Sequence, residues 1–205
     1  MRWKVITLLS FAFLLLVGCS TIEWTGVYSR FIGVYDKYDD AIKGLTFKVN
    51  SEKNEIKKMG YLILIGVAYQ KKGLLSESMK YYEESLMINN TFNYFALLQK
   101  AQIYKIEGNI GQEQNNLKLT VNCINNLKKV IENKSMSEND IMLYKVLDHC
   151  IGYNIYKEDR VPLFWGGNEQ QRKTYLSCLD KRINEINGVI DSIGNRHMRP
   201  IYEDK

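Results

Sequence analysis

The side chains able to do chemistry in this chain are few: four cysteines, Cys19, Cys123, Cys150 and Cys178, and two histidines, His149 and His197. Structural zinc sites draw on closely spaced pairs such as CxxC or HxxxH. Cys123, Cys150 and Cys178 lie about 27 residues apart, with only His149 adjacent to one of them, so no metal site is expected. Adjacency of His149 and Cys150 does not make a nucleophilic dyad, because base and nucleophile must meet in space. No GxSxG elbow and no phosphate-binding loop occur, and Gly166-Gly167 alone does not cradle a phosphate. The acidic pairs Asp39-Asp40 and Glu83-Glu84 suit a solvated helix face. We expect no catalytic residues and no cofactor, so that an enzyme is the third and least supported function class.

Cys19 stands apart because of what precedes it. Met1-Arg2-Trp3-Lys4 is a short basic start, and Val5 to Val17 is almost wholly apolar. That run is too short for a stable bilayer-spanning helix. Together they describe an export signal rather than a structural element. The residues Leu16-Val17-Gly18-Cys19 resemble the bacterial lipobox at all four of its positions. The resemblance implies cleavage before Cys19, a covalent lipid, with palmitate, on Cys19 and acylation of its α-amino group. Ser20, rather than Asp, implies the outer membrane facing the periplasm where a cell has two membranes. An ordinary signal peptide with an incidental Cys19 is the alternative. Export would also permit one disulfide among Cys123, Cys150 and Cys178, although spacing does not select the pair.

Removal of residues 1–18 takes away Arg2 and Lys4, leaving 26 basic residues, two fewer than in the whole chain, against 23 acidic ones. The charges are interspersed, and nucleic-acid binding would need a basic stripe. About 187 residues remain, enough for one domain with a core. The two prolines, Pro162 and Pro200, leave residues 19–161 uninterrupted, which favours an all-α protein.

The elements follow from periodicity. After a tether at residues 19–23, the residues Trp24, Tyr28, Phe31, Tyr35, Tyr38, Ile42 and Leu45 alternate spacings of four and three, one face of a helix. Gly26 and Gly33 weaken that helix by about 1 kcal/mol each, which packing of the aromatic stripe must offset. It faces the core or, alternatively, docks a partner close to the membrane. Phe47 to Asn50 reads as a loop, completing a segment at residues 24–50. Lys53 to Lys72 is helical and closed by Gly73. Leu75 to Ile88 stops at Asn89-Asn90, and Phe92 to Glu107 stops at Gly108. A fourth helix starts near Ile110 and carries Leu117, Val121, Ile124, Leu127 and Ile131.

Residues 51–134 repeat with a register of about 35. Gly66, Tyr69 and Gly73 match Ala101, Tyr104 and Gly108; Ser78, Tyr82 and Ser85 match Glu113, Leu117 and Thr120; Asn90 and Asn125 close the units. The pattern resembles the tetratricopeptide repeat, with a good first unit and a degenerate second, Glu113 standing where a small residue is usual. About three units are needed for a stable stack, so flanking helices must cap the two. A plain helical bundle is the competing architecture. The resemblance implies protein binding in a groove lined by Gly60, Ile63, Val67 and Gln70, then Phe95, Leu98, Gln102 and Lys105. These are mostly apolar, which disfavours a carboxylate clamp. The groove either holds a partner segment or is filled by the chain's own Trp24 or Leu176 helix.

The C-terminal region, residues 135–195, opens with a helix from Ser137, with Asp140 three residues on resembling a capping box. A loop from Glu158 to Gly167 contains Phe164 and Trp165. A last helix has the stripe Leu176, Leu179, Ile183, Ile186, Ile190 and Ile193, ending at Gly194-Asn195. Residues 196–205 form a polar, mobile tail. The fold expected is therefore an all-α, short array of about two tetratricopeptide-like hairpins with capping helices. The function expected is a monomeric, lipid-anchored adaptor binding a protein partner in assembly of an envelope complex, of the secretion or pilus kind. A structural lipoprotein self-associating through the Leu176–Ile193 stripe is the alternative, and a cell-wall-associated enzyme the third.

Overall fold

The computed structural model describes residues 35–133 and 169–197, together with Tyr28, Phe31 and Ile32. The Leu16–Cys19 stretch, the helix expected from Ser137, His149, Cys150, the loop expected around Phe164 and Trp165 and the tail beyond His197 lie outside the described residues. Six helices make up the described chain, with no strand among them: α1 Tyr38–Ser51, α2 Glu55–Lys71, α3 Leu75–Ile88, α4 Tyr94–Ile106, α5 Ile110–Glu132 and α6 Glu169–His197. Each packs on its neighbour in this order, most closely within the pairs α2–α3 and α4–α5.

Local chemistry explains the boundaries. Asn54, Asn93 and Asn109 cap α2, α4 and α5, each side-chain oxygen accepting a backbone N–H three residues on. The helices α1 and α3 have no side-chain cap but place Asp39 and Asp40, or Glu77, in the first turn, where carboxylates favour the helix dipole. Gly73 and Gly108 take positive φ values of 77° and 71°. In the first turn the Gly73 N–H donates to the Gln70 carbonyl and the Leu74 N–H to the Tyr69 carbonyl, both at 3.0 Å. Gly108 and Asn109 repeat that pair onto Lys105 and Tyr104, at 3.2 and 2.8 Å. Both are Schellman turns, which need a left-handed residue that only glycine supplies without strain.

The core centres on α2, where every residue from Met59 to Ala68 is buried. A helix apolar all round has no solvent face. Ala41 and Leu45 of α1 pack against this core, as do Phe95, Ala101 and Ile103 of α4 and Leu117, Ile124, Leu127 and Ile131 of α5. One ion pair joins each remaining neighbour pair: Asp39 to Lys72 (α1–α2), Glu83 to Lys100 at 3.0 Å (α3–α4), and Lys128 to Asp180 (α5–α6). With Arg172 Nη1 reaching the Glu132 carbonyl, the last pair sets α6 antiparallel to α5. Leu179, Ile186 and Ile193 are buried along it, so the α6 stripe is spent inside the chain.

Four expectations are corrected. The aromatic helix does not run unbroken from Trp24 to Leu45: Tyr28, Phe31 and Ile32 are helical, but Tyr35 to Lys37 are not. Asp36 takes φ 51°, and the Lys37 N–H closes back onto the Phe31 carbonyl at 2.9 Å. Asp tolerates the left-handed region better than most residues, so the break needs no glycine. Phe47 to Asn50 are helical, because Val49 carries the Ala41–Leu45 stripe one turn further while Phe47 faces outward. Asn125 does not close the second unit, since Ile124, Leu127 and Ile131 keep α5 helical to Glu132. The last helix passes Gly194 and ends at His197, Gly194 not taking the positive φ of a stop.

Candidate functional site

The eight groove positions divide sharply by exposure. On α2, Gly60, Ile63 and Val67 are buried, and so is Phe95 on α4. Leu98 is half-buried, Gln70 likewise, and only Gln102 and Lys105 are exposed. Ile63, Val67 and Phe95 belong to the core and are covered by the chain itself. Burial of a continuous ten-residue stretch of α2 leaves those positions no solvent face.

What remains at the surface is a polar strip joined across three helices. The Tyr82 hydroxyl of α3 donates to Gln70 Oε1 on α2 at 2.7 Å, and Gln70 Nε2 donates to Gln102 Oε1 on α4 at 3.5 Å. Of the positions named from sequence, the fold thus brings Gln70 and Gln102 into direct contact, with Lys105 about one turn beyond on the same helix. Hydrogen bonding orients both carboxamides. Such a strip can present donors to backbone carbonyls or acidic groups of a partner.

The joint beneath the strip is tight. Tyr82 packs on Gly66, where an added Cβ would lie 2.6 Å from the ring Cε1. Ser78 Oγ donates to the Gly66 carbonyl at 2.8 Å. Buried Asn93, which periodicity does not mark, both caps α4 and donates from Nδ2 to Ser85 Oγ at 3.1 Å, tying α3 to α4. Gln99 is 4% exposed, and its Nε2 has no hydrogen-bond partner. Sequence signals for these were weak, since an Asn before a helix reads only as a cap and a Gln on α4 reads as surface.

Cys123 and Cys178 are both free, which corrects the expectation of a disulfide between members of this set for these two. Cys123 is buried on α5 and its thiol donates to the Asn90 carbonyl at 3.2 Å. Burial pushes its pKa up to about 11, so at neutral pH it is a neutral thiol rather than a thiolate. Among the described residues, no group of three or more His, Cys, Asp or Glu is placed to hold a metal ion. No described helix is long and apolar enough to cross a membrane.

Comparison with known proteins brings no likeness to bear: no family model, no curated protein and no solved structure matches this chain.

Proposed function

We propose that this protein is a lipid-anchored, periplasm-facing helical adaptor, with hairpins of the tetratricopeptide kind, that binds a protein partner in assembly of an envelope complex. Cys19, at the end of Leu16-Val17-Gly18-Cys19 and ahead of a serial stack of helical hairpins, is the observation that carries the reading. A lipid there tethers the domain, and a stack of hairpins offers an extended surface rather than a reaction cleft. The two Schellman turns, about 35 residues apart and alike in their bonds, support the repeat. Secretion or pilus machinery is the setting that the resemblance suggests. The partner-facing surface in this reading is the Gln70–Gln102–Lys105 strip, flanked by half-buried Leu98.

The self-associating alternative draws less support, because the Leu176–Ile193 stripe packs on α5. A cell-wall enzyme draws none from the described residues.

The test is in-cell crosslinking followed by capture from solubilised envelopes. Wild type is compared with a Gln102→Ala, Lys105→Glu double variant, both substitutions lying at exposed positions. Loss of one specific protein adduct, with circular dichroism unchanged, is the expected result. The same adducts from both proteins, or none from either, would sink the adaptor reading at this surface.

A further inference from the structure

Large exposed apolar side chains are scattered over the described surface: Tyr35 ahead of α1, Leu74, Ile106 and Ile110 beside the glycine turns, Met87 on α3, Leu119 on α5 and Val189 on α6. Phe47 of α1, 70% exposed, differs from these in its relation to the chain that leads back to Cys19. The Lys37 N–H bonds the Phe31 carbonyl, and the Lys37 ammonium lies 6.0 Å from the Phe31 ring centroid, so Phe31 sits at the start of α1. Tyr28 instead packs on Gly44, where an added Cβ would lie 2.6 Å from the ring Cε1. The Tyr28 ring, 6.0 Å from the Phe31 ring between centroids, thus lies further along α1 than Phe31 does. It lies one turn short of Phe47.

Eight residues, 20–27, separate Cys19 from Tyr28. Whatever path they take, they reach at most about 32 Å. A lipid on Cys19 thus confines α1 near the bilayer surface. The half of α1 at which Tyr28 arrives is also the half suited to that surface. Residues 43–51 hold Lys43, Phe47 and Lys48 and no acid, whereas Asp39 and Asp40 lie at the opposite end of the helix. Aromatic rings favour the headgroup region, and lysine stems can lie along it with the ammonium in water.

We propose that the C-terminal half of α1, with Phe47 at its centre, rests on the lipid headgroup region of the membrane. The helices then leave the bilayer in serial order, with α6 remote from it. The inference rests on the lipid anchor at Cys19 put forward above. It fixes which side of the array is turned away from the membrane and open to a partner.

The test uses the full chain in cells, with Phe47 replaced by photoreactive benzoylphenylalanine, and Met87 and Val189 replaced likewise as references. Irradiated envelopes are read by mass spectrometry for adducts, and the N-terminal peptide is read for lipid on Cys19. Because all three side chains are exposed, circular dichroism of each variant is expected to match wild type. The expected result is a phospholipid adduct at position 47 and none above background at 87 and 189. Lipidated Cys19 with a protein adduct or no adduct at 47, or with equal lipid adducts at all three positions, overturns the inference and leaves the anchor standing. Cys19 without lipid overturns both.

Discussion

In the hairpin α2–α3 the Tyr82 ring lies on bare Gly66, whereas in α4–α5 the corresponding positions hold Ala101 and Leu117, both buried. The first hairpin adds two hydrogen bonds at this joint, Ser78 to the Gly66 carbonyl and Tyr82 to Gln70. The second has Glu113, 7% exposed, where the first has Ser78. Yet the glycine turns that close α2 and α4 are alike in φ and in both backbone bonds. A turn depends on the conformation of one residue, so it repeats faithfully. A joint depends on the summed volume of the facing side chains, so Gly with Tyr and Ala with Leu can fill corresponding positions differently.

The sharpest way to break this comparison is at Tyr82. Tyr82→Ala empties a fully buried ring site and removes a hydrogen bond, and is expected to cost about 4 kcal/mol in urea unfolding. Gly66→Ala drives a methyl into the same ring and should cost about 2 kcal/mol. The double variant Gly66→Ala, Tyr82→Leu installs the second hairpin's pair in the first. If the two joints are equivalent solutions, it will be more stable than the sum of its single changes predicts. Simple additivity would show that they are not equivalent.

The turns should respond equally. Gly73→Ala and Gly108→Ala place a side chain in a left-handed conformation with open space around it, so backbone strain alone is at issue. Each is expected to cost about 1–2 kcal/mol, with the two values close together. Unequal losses would separate the hairpins where geometry makes them the same.

Gln99→Met replaces a buried amide nitrogen that has no partner by an apolar group of similar length. An increase in unfolding free energy of about 1 kcal/mol is expected. A loss would mean that the amide is paired in solution.

Cys123 supplies a pH signature, with no loss expected at neutral pH. Burial raises its folded pKa from 9.0 to about 11, so between those values the folded state keeps a proton that the unfolded state has released. Its contribution is complete below pH 9 and is lost as pH rises through 11. Burial also raises Tyr28, Tyr61 and Tyr81 and so works in the same direction at higher pH. Stability should fall above pH 9, with the early part of that fall absent in Cys123→Ala, as measured by unfolding at a series of alkaline pH values.

Much of the helical frame was legible because its signals are local. Asn89 after Ile88, Gly73 after Lys72 and Gly108 after Glu107 mark stops through their own conformational preferences, and α3 runs from Leu75 to Ile88 as its apolar spacing requires. The break at Asp36 was not legible, since aromatic spacing from Tyr28 to Tyr38 stays in helical phase across it. The groove was least legible of all. Ile63, Val67 and Phe95 fall at positions that a hairpin stack can leave open or cover, and periodicity within one helix records only that a face is apolar.

By itself the sequence determined the all-α class, the glycine turns and the repeat register, because capping, φ preference and the 3.6-residue period act within a few neighbours. It also holds Leu16-Val17-Gly18-Cys19, the residues on which the proposed lipid anchor rests. Only the tertiary structure decided that α2 is enclosed, that the α6 stripe lies on α5, and that Tyr28 returns along α1 towards Phe47. Those outcomes depend on which surfaces distant segments cover, and burial is a property of the assembled packing, not of any one helix.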